Sequence, residues 1–143
     1  MSDTHEGGCV CGAVRYATQG DPLRVSLCHC TWCQRRTGSA FGTEAVFNDE
    51  NITFTGTAPS VYRHVSDLSG RWLDQFFCPR CGTNLGMMLE AVPGIRSIAA
   101  GTFDDPAWLK PTGVPFRHLF LRSDHGWADV PVDMEQYEMH FRK

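Results

Sequence analysis

All seven cysteines of this 143-residue chain fall into three short clusters: Cys9-Val10-Cys11, Cys28-His29-Cys30-Thr31-Trp32-Cys33 and Cys78-Pro79-Arg80-Cys81. Independent core cysteines would scatter. An odd count would leave a closed disulfide framework with one thiol over. The first residues, Met1 to Gly8, are polar, carry Asp3 and Glu6, and lack the basic start and apolar run of an export signal. The expectation is therefore a cytoplasmic protein whose thiols stay reduced. Clustered, reduced cysteines point to metal.

The spacings say which metal. Zinc binds thiolate sulfur at about 2.3 Å in a tetrahedral shell, so two ligands of one ion must bring their sulfurs within about 4 Å of each other. The Cys78-Pro79-Arg80-Cys81-Gly82 turn suits this, with Pro79 fixing φ after the first ligand and Gly82 accepting a left-handed backbone after the second. Cys9 and Cys11, two apart, share a face if extended. Sulfur-rich tetrahedral sites favour zinc over iron, although iron–sulfur ligation stays open.

Seven ligands make one closed site of four and one open site of three. Cys28, Cys30 and Cys33 can converge on one ion without help from the rest of the chain. Cys9 and Cys11 then join Cys78 and Cys81 and tie distant segments together. The rival split, with Cys9, Cys11, Cys28 and Cys30 together, would part Cys33 from its neighbours. Closed zinc sites are structural, whereas open ones keep a position for water or substrate. Two zinc ions per chain are expected.

The rest of the chain sets the background. Its length is that of one domain, 1–143, and 42% hydrophobic with 20% charged residues is the balance of a globular chain. A net charge of −3 with a pI near 6.0 provides no broad cationic field for nucleic acid or an anionic membrane. No apolar run is long enough to span a bilayer. Strand patterns recur at Val14–Ala17, Val25–Leu27, Phe41–Phe47, Asn51–Thr55, Val61–Val65, Trp72–Phe77, Asn84–Leu89, Ile95–Ala99 and Phe116–Leu121. One short helical turn is expected over Gln34–Thr37, ended by Gly38. The tail from Val130 to Lys143 is weakly patterned. The fold class is mainly β, with short helices only.

Several segments together resemble the glutathione-dependent formaldehyde-activating enzyme family, also called the centromere-protein-V-like domain. They are Gly8-Cys9-Val10-Cys11-Gly12-Ala13-Val14-Arg15-Tyr16, then Cys28-His29-Cys30-Thr31-Trp32-Cys33-Gln34-Arg35-Arg36-Thr37-Gly38, and Phe77-Cys78-Pro79-Arg80-Cys81-Gly82-Thr83. Gly101-Thr102-Phe103-Asp104-Asp105-Pro106, His118-Leu119-Phe120 and Trp127 extend the likeness, which runs over roughly residues 6 to 127. The resemblance implies a β-tent (Mss4-like) fold of antiparallel sheets pinned by zinc. It implies the same division of ligands: a structural ion on Cys9, Cys11, Cys78 and Cys81, a second on Cys28, Cys30 and Cys33. It also implies addition of glutathione to formaldehyde, or the reverse.

The chemistry follows from the charges. Three thiolates leave a zinc site at −1 and a poor Lewis acid. Such a site can still bind a fourth thiol as thiolate and orient it toward a small carbonyl. The activity expected is that of a carbon–sulfur lyase or synthase on a glutathione adduct of formaldehyde or another small aldehyde. The alternative is a zinc protein that binds or carries a thiol without turnover. A purely structural role for both metals is disfavoured by the missing eighth cysteine.

Positive charge beside the second site should help. Arg35 matches the family's basic position and is taken as the catalytic arginine. Arg35, Arg36, Thr37 and Gly38 are the candidate glutathione contacts. Trp32 is a candidate pocket wall. His29, between two ligands, would turn away from them on an extended segment. His118 reads as a packed strand histidine, and Asp104-Asp105 as a cap or turn. Whether the chain pairs with itself is left open.

Overall fold

The computed structural model describes residues 3–129 and 133–141. The strands run in chain order as β1 (Thr4–Gly8), β2 (Val14–Gln19), β3 (Arg24–Cys28), β4 (Gly42–Asn48), β5 (Ile52–Gly56), β6 (Ser60–Val65), β7 (Trp72–Phe77), β8 (Asn84–Leu89), β9 (Ile95–Ala99), β10 (Phe116–Leu119) and β11 (Glu135–Gln136). One α-helix, α1 (Thr31–Thr37), and four short 3-10 segments complete the described chain. The mainly β expectation holds. Of the weakly patterned tail, residues 130–132 and 142–143 lie outside the described residues.

The strands form two sheets, one ordered β1-β2-β5 and the other β11-β10-β3-β4-β9-β8-β7-β6. The small sheet is antiparallel throughout. The large one departs from the expected antiparallel pattern, because β10 runs parallel to both β3 and β11. Short hairpins force antiparallel pairing. No hairpin joins β3 to β10, since β4 to β9 lie between them in sequence, so this pairing is free to be parallel.

Alternation along the central strands divides the large sheet into two faces. Ala45 and Phe47 on β4, Val25 on β3 and Ile98 on β9 enter the main buried cluster with Val14 and Tyr16 of the small sheet, Phe76, Leu85 and Phe103. Gly42 and Glu44, the alternate residues of β4, lie on the opposite face, where α1 packs. Cys28 sits there too, paired in register with Gly42. The core therefore occupies one side of the sheet, and the three-cysteine segment the other.

Two elements differ from their sequence patterns. The helix starts three residues before the expected Gln34, because the Cys30 sulfur accepts the Cys33 N–H as an N-cap. Cysteine is outside the usual set of capping residues, so the pattern gave no warning. The helix ends where expected, at Gly38 with φ 65°. Strand β1 is polar at the sequence level and carries no apolar alternation. It forms because Gly7 can approach Tyr16 and the Thr102 carbonyl more closely than any side chain would allow.

Candidate metal centres

The seven sulfurs gather into two groups. Cys9, Cys11, Cys78 and Cys81 form one, and Cys28, Cys30 and Cys33 the other, with the ligand atoms of each group within 4.8 Å of one another. This is the division expected from locality, and the rival grouping of Cys9 and Cys11 with Cys28 and Cys30 does not occur.

The first group joins the turn after β1 to the turn after β7. Cys9 and Cys11 sulfurs lie 3.6 Å apart, and Cys11 and Cys78 sulfurs 3.8 Å apart. A disulfide would need about 2.05 Å. Two thiolates on one tetrahedral zinc stand about 3.8 Å apart, so the donor set and spacing fit zinc. Backbone donors surround it: Val14 N–H points to Cys9 at 3.3 Å and Arg80 N–H to Cys78 at 3.4 Å. Gly82 takes φ 77°, the left-handed turn expected after the second ligand of the knuckle. The Thr83 hydroxyl and N–H pull the Cys81 thiol down to about 5. Cys9 and Cys78 are buried, while Cys11 and Cys81 are exposed, and the Arg80 side chain faces water.

The second group caps the far face of the large sheet. Cys28 ends β3, Cys30 caps α1, and Cys33 is the helix's one buried residue. Leu119, Trp32, Met87, Phe120 and Tyr137 pack around it. Without a cation, three close sulfurs cannot all ionise. Hydrogen bonds from Cys28 and Cys33 hold the Cys30 thiol down at about 3. Cys28 is raised well above its ordinary value by its bonds to Cys30 and Cys33 and by burial. Cys33, although Cys28 also favours its thiolate, is pushed up to about 12 by Cys30 and by burial. One negative charge is thus spread over three sulfurs, and a divalent cation would release the other two protons.

The flanking residues sort themselves by helix geometry. Residues three apart share a helix face, whereas residues two apart do not. Arg36, three after Cys33, is fully buried and places Nη2 3.6 Å from the Cys33 sulfur. Arg35, two after it, is exposed on the other side of α1, where it lines a surface hollow with Gly38, His125 and Trp127. The basic residue beside the sulfurs is Arg36, not the expected Arg35. Thr37 is committed to the helix, its hydroxyl donating to the Cys33 carbonyl at 2.7 Å. Burial opposes the Arg36 charge, but Glu44 and Cys33 beside it more than compensate and hold its pKa above the ordinary value.

Glu44 is the partner that sequence reasoning missed. It directly precedes the apolar Ala45, Val46 and Phe47 of β4, and its 2.5 Å bond to Arg36 crosses from β4 to α1. Its two-residue step from Gly42 on a strand facing the helix was the available signal. His29 turns from the sulfurs, as an extended segment requires, and its Nε2 meets His118 Nδ1 at 2.9 Å. Both histidines are buried, and burial lowers the pKa of each. Asp105 caps a 3-10 segment through the Ala107 N–H, as a cap-or-turn reading anticipates, whereas Asp104 is held in an ion pair with Arg15 that this reading did not include.

Comparison with known proteins agrees with the cysteine pattern. A family model described as glutathione-dependent formaldehyde-activating enzyme matches residues 4–123. A relative from Halomonas elongata, provisionally named a glutathione-dependent formaldehyde-activating enzyme, is 23% identical over 128 residues, covering 87% of this chain and 80% of its own. The crystal structure of a Rhodobacter sphaeroides protein superposes with a TM-score of 0.56 at 21% identity, over 78% of this chain and 98% of that one. The likeness to that structure is one of fold. Among the described residues, no helix is long and apolar enough to cross a membrane.

Proposed function

We propose, for a chain that belongs to the glutathione-dependent formaldehyde-activating enzyme family, that it is a zinc-dependent carbon–sulfur lyase or synthase acting on a glutathione adduct of a small aldehyde, formaldehyde first. In this reading the chain works in the cytoplasm as one β-tent domain over 1–143. Cys9, Cys11, Cys78 and Cys81 hold a structural zinc, and Cys28, Cys30 and Cys33 hold a second. The fit of both groups rests on their all-sulfur donor chemistry and spacing.

The observation that carries this reading is the orientation of His29. Its ring turns to His118, so the segment that delivers Cys28 and Cys30 delivers no fourth ligand with them. Three sulfurs leave one tetrahedral corner for a visiting thiol. Zinc held by the three sulfurs would lower the pKa of a thiol taken into that corner, so that the thiol loses its proton to solvent and is a thiolate near neutral pH, available to a small carbonyl. The chain's own residues do the rest. Cys28, Cys30 and Cys33 would set the corner's direction from the end of β3 and the first turn of α1. Trp32, Met87 and Phe120 beside the sulfurs keep the surroundings apolar, which strengthens electrostatic contacts and limits water. Arg36 brings a positive charge against a site that gains negative charge with each thiolate.

Exchange NMR of formaldehyde with glutathione, with and without protein, tests the proposal, because the reaction also proceeds unaided. Faster exchange that disappears in Cys30→Ser is expected. Equal rates with and without protein would leave thiol binding without catalysis.

A further inference from the structure

We infer that Arg36, held by Glu44, which Ser97 in turn fixes, is a positioning residue that draws electron density from the Cys33 sulfur and so favours an anionic sulfur as the fourth ligand of the three-cysteine site. The inference rests on the reading that this site holds a metal.

The arrangement has features a merely structural ion pair does not need. Arg36 and Glu44 side chains are 0% and 1% exposed. Removing two charges from water is costly, and it is recovered only with good geometry and further hydrogen bonds. Yet the guanidinium does not face the carboxylate with two parallel bonds, as arginine does when pairing is its purpose. A single nitrogen, Nη2, serves both Glu44 Oε1 and the Cys33 sulfur, while Nε and Nη1 find no partner among the described residues. The group is placed for the sulfur at the expense of the pair.

Its surroundings hold it there. The Ser97 hydroxyl lies 2.9 Å from Glu44 Oε2 and fixes the carboxylate from β9. The Trp32 ring covers the guanidinium, its centroid 5.0 Å from Cζ. Trp32 in turn stacks on His64 at 5.5 Å, tying the helix to β6. On β4, a Cβ added to Gly42 would stand 2.8 Å from Nη2 and 3.2 Å from Glu44 Oε1. The backbone is bare at the point where the guanidinium enters.

The consequence is electrostatic. A dication on three thiolates carries −1, and a fourth thiolate takes it to −2 in a poorly solvated place. A charge-assisted N–H bond to Cys33 lowers that sulfur's donation and offsets the added charge. Without it, a neutral fourth ligand gains ground over a thiolate.

The test uses the full chain with Co2+ in place of zinc and 2-mercaptoethanol as the thiol, read through the cobalt–thiolate absorption. The four-cysteine group contributes equally to every variant and cancels in differences. The double variant Arg36→Gln with Glu44→Gln keeps a neutral hydrogen-bonded pair and strands no charge. It is expected to take up thiol about tenfold more weakly, the scale of one charge-assisted bond, with the sulfur-to-cobalt band moved to lower energy. Arg36→Lys should restore most of the affinity. Should the double variant fold poorly, Ser97→Ala removes a hydroxyl that contacts Glu44 Oε2 and the Met87 carbonyl, leaves the Arg36–Glu44 pair in place, and should shift the band the same way by less. Unchanged band and affinity in these variants, with a wild type that takes up thiol, would reduce Arg36 to a packing residue. A wild type that loads no cobalt at the three-cysteine group would overturn the site's assignment and this inference with it.

Discussion

Arginines 35 and 36 are adjacent in sequence and opposite in consequence. Arg35 faces water, so Arg35→Ala is expected to change stability by no more than about 0.5 kcal/mol, the usual range for an exposed site. Arg36→Ala strands the buried Glu44, and breaking such a pair costs about 3–5 kcal/mol. Urea unfolding of the two variants measures the contrast, and similar losses would contradict the helix-face assignment. The sequence contained this distinction once the helix was extended back to Thr31, since only then is Arg36 one turn on from a helical Cys33. His118 gives a second expectation. The fold buries it against His29, with Asp124 near the pair, and burial depresses its pKa from 6.5. The unfolded chain therefore binds the extra proton first, so stability is full above about 6.5 and declines as pH falls below it. With saturating zinc, His118→Gln should narrow the stability difference between neutral and mildly acid pH. An unchanged difference would show that other groups set the acid limit.

At the scale of elements, the two sulfur groups differ in what they join. Cys28, Cys30 and Cys33 lie on one local strand-to-helix turn, and the main core is on the other face of the same sheet. Cys9 and Cys11 lie beside β2 of the small sheet, whereas Cys78 and Cys81 follow β7 of the large one. Cys30→Ser is therefore expected to empty the second site and leave near-native circular dichroism. Cys78→Ser should damage folding itself, because metal binding and folding are coupled where ligands link distant segments. Equal damage from both would erase the distinction. This division was legible from spacing alone, because a six-residue segment converges more cheaply than a long loop closes. The strand patterns from Val14 to Ala99 also survive in the fold, since alternation and turn residues agree there. The parallel pairing of β3 with β10 was not legible. Register between strands so far apart is set by what else packs on the sheet, and no local pattern records it. Strand β1 escaped notice for a related reason: its close approach to Tyr16 is a property of the partner surface.

For the whole molecule, the family assignment and the sulfur geometry converge on one picture. A β scaffold carries a core on one face of its large sheet and the three-cysteine group on the other. The four-cysteine group joins the sheets, and the three-cysteine group stands where α1 follows β3. Metal-replete protein should contain about two zinc ions per chain by elemental analysis. It should also be colourless, which iron–sulfur clusters would not allow. The claim on which the function depends is that the second ion has three protein sulfurs and one exchangeable place. X-ray absorption at the zinc edge, before and after adding glutathione, reads this directly. A light-atom contribution at about 2.0 Å, from solvent on half of the zinc, should give way to an all-sulfur shell at about 2.3 Å. A shell that glutathione leaves unchanged would contradict the open corner.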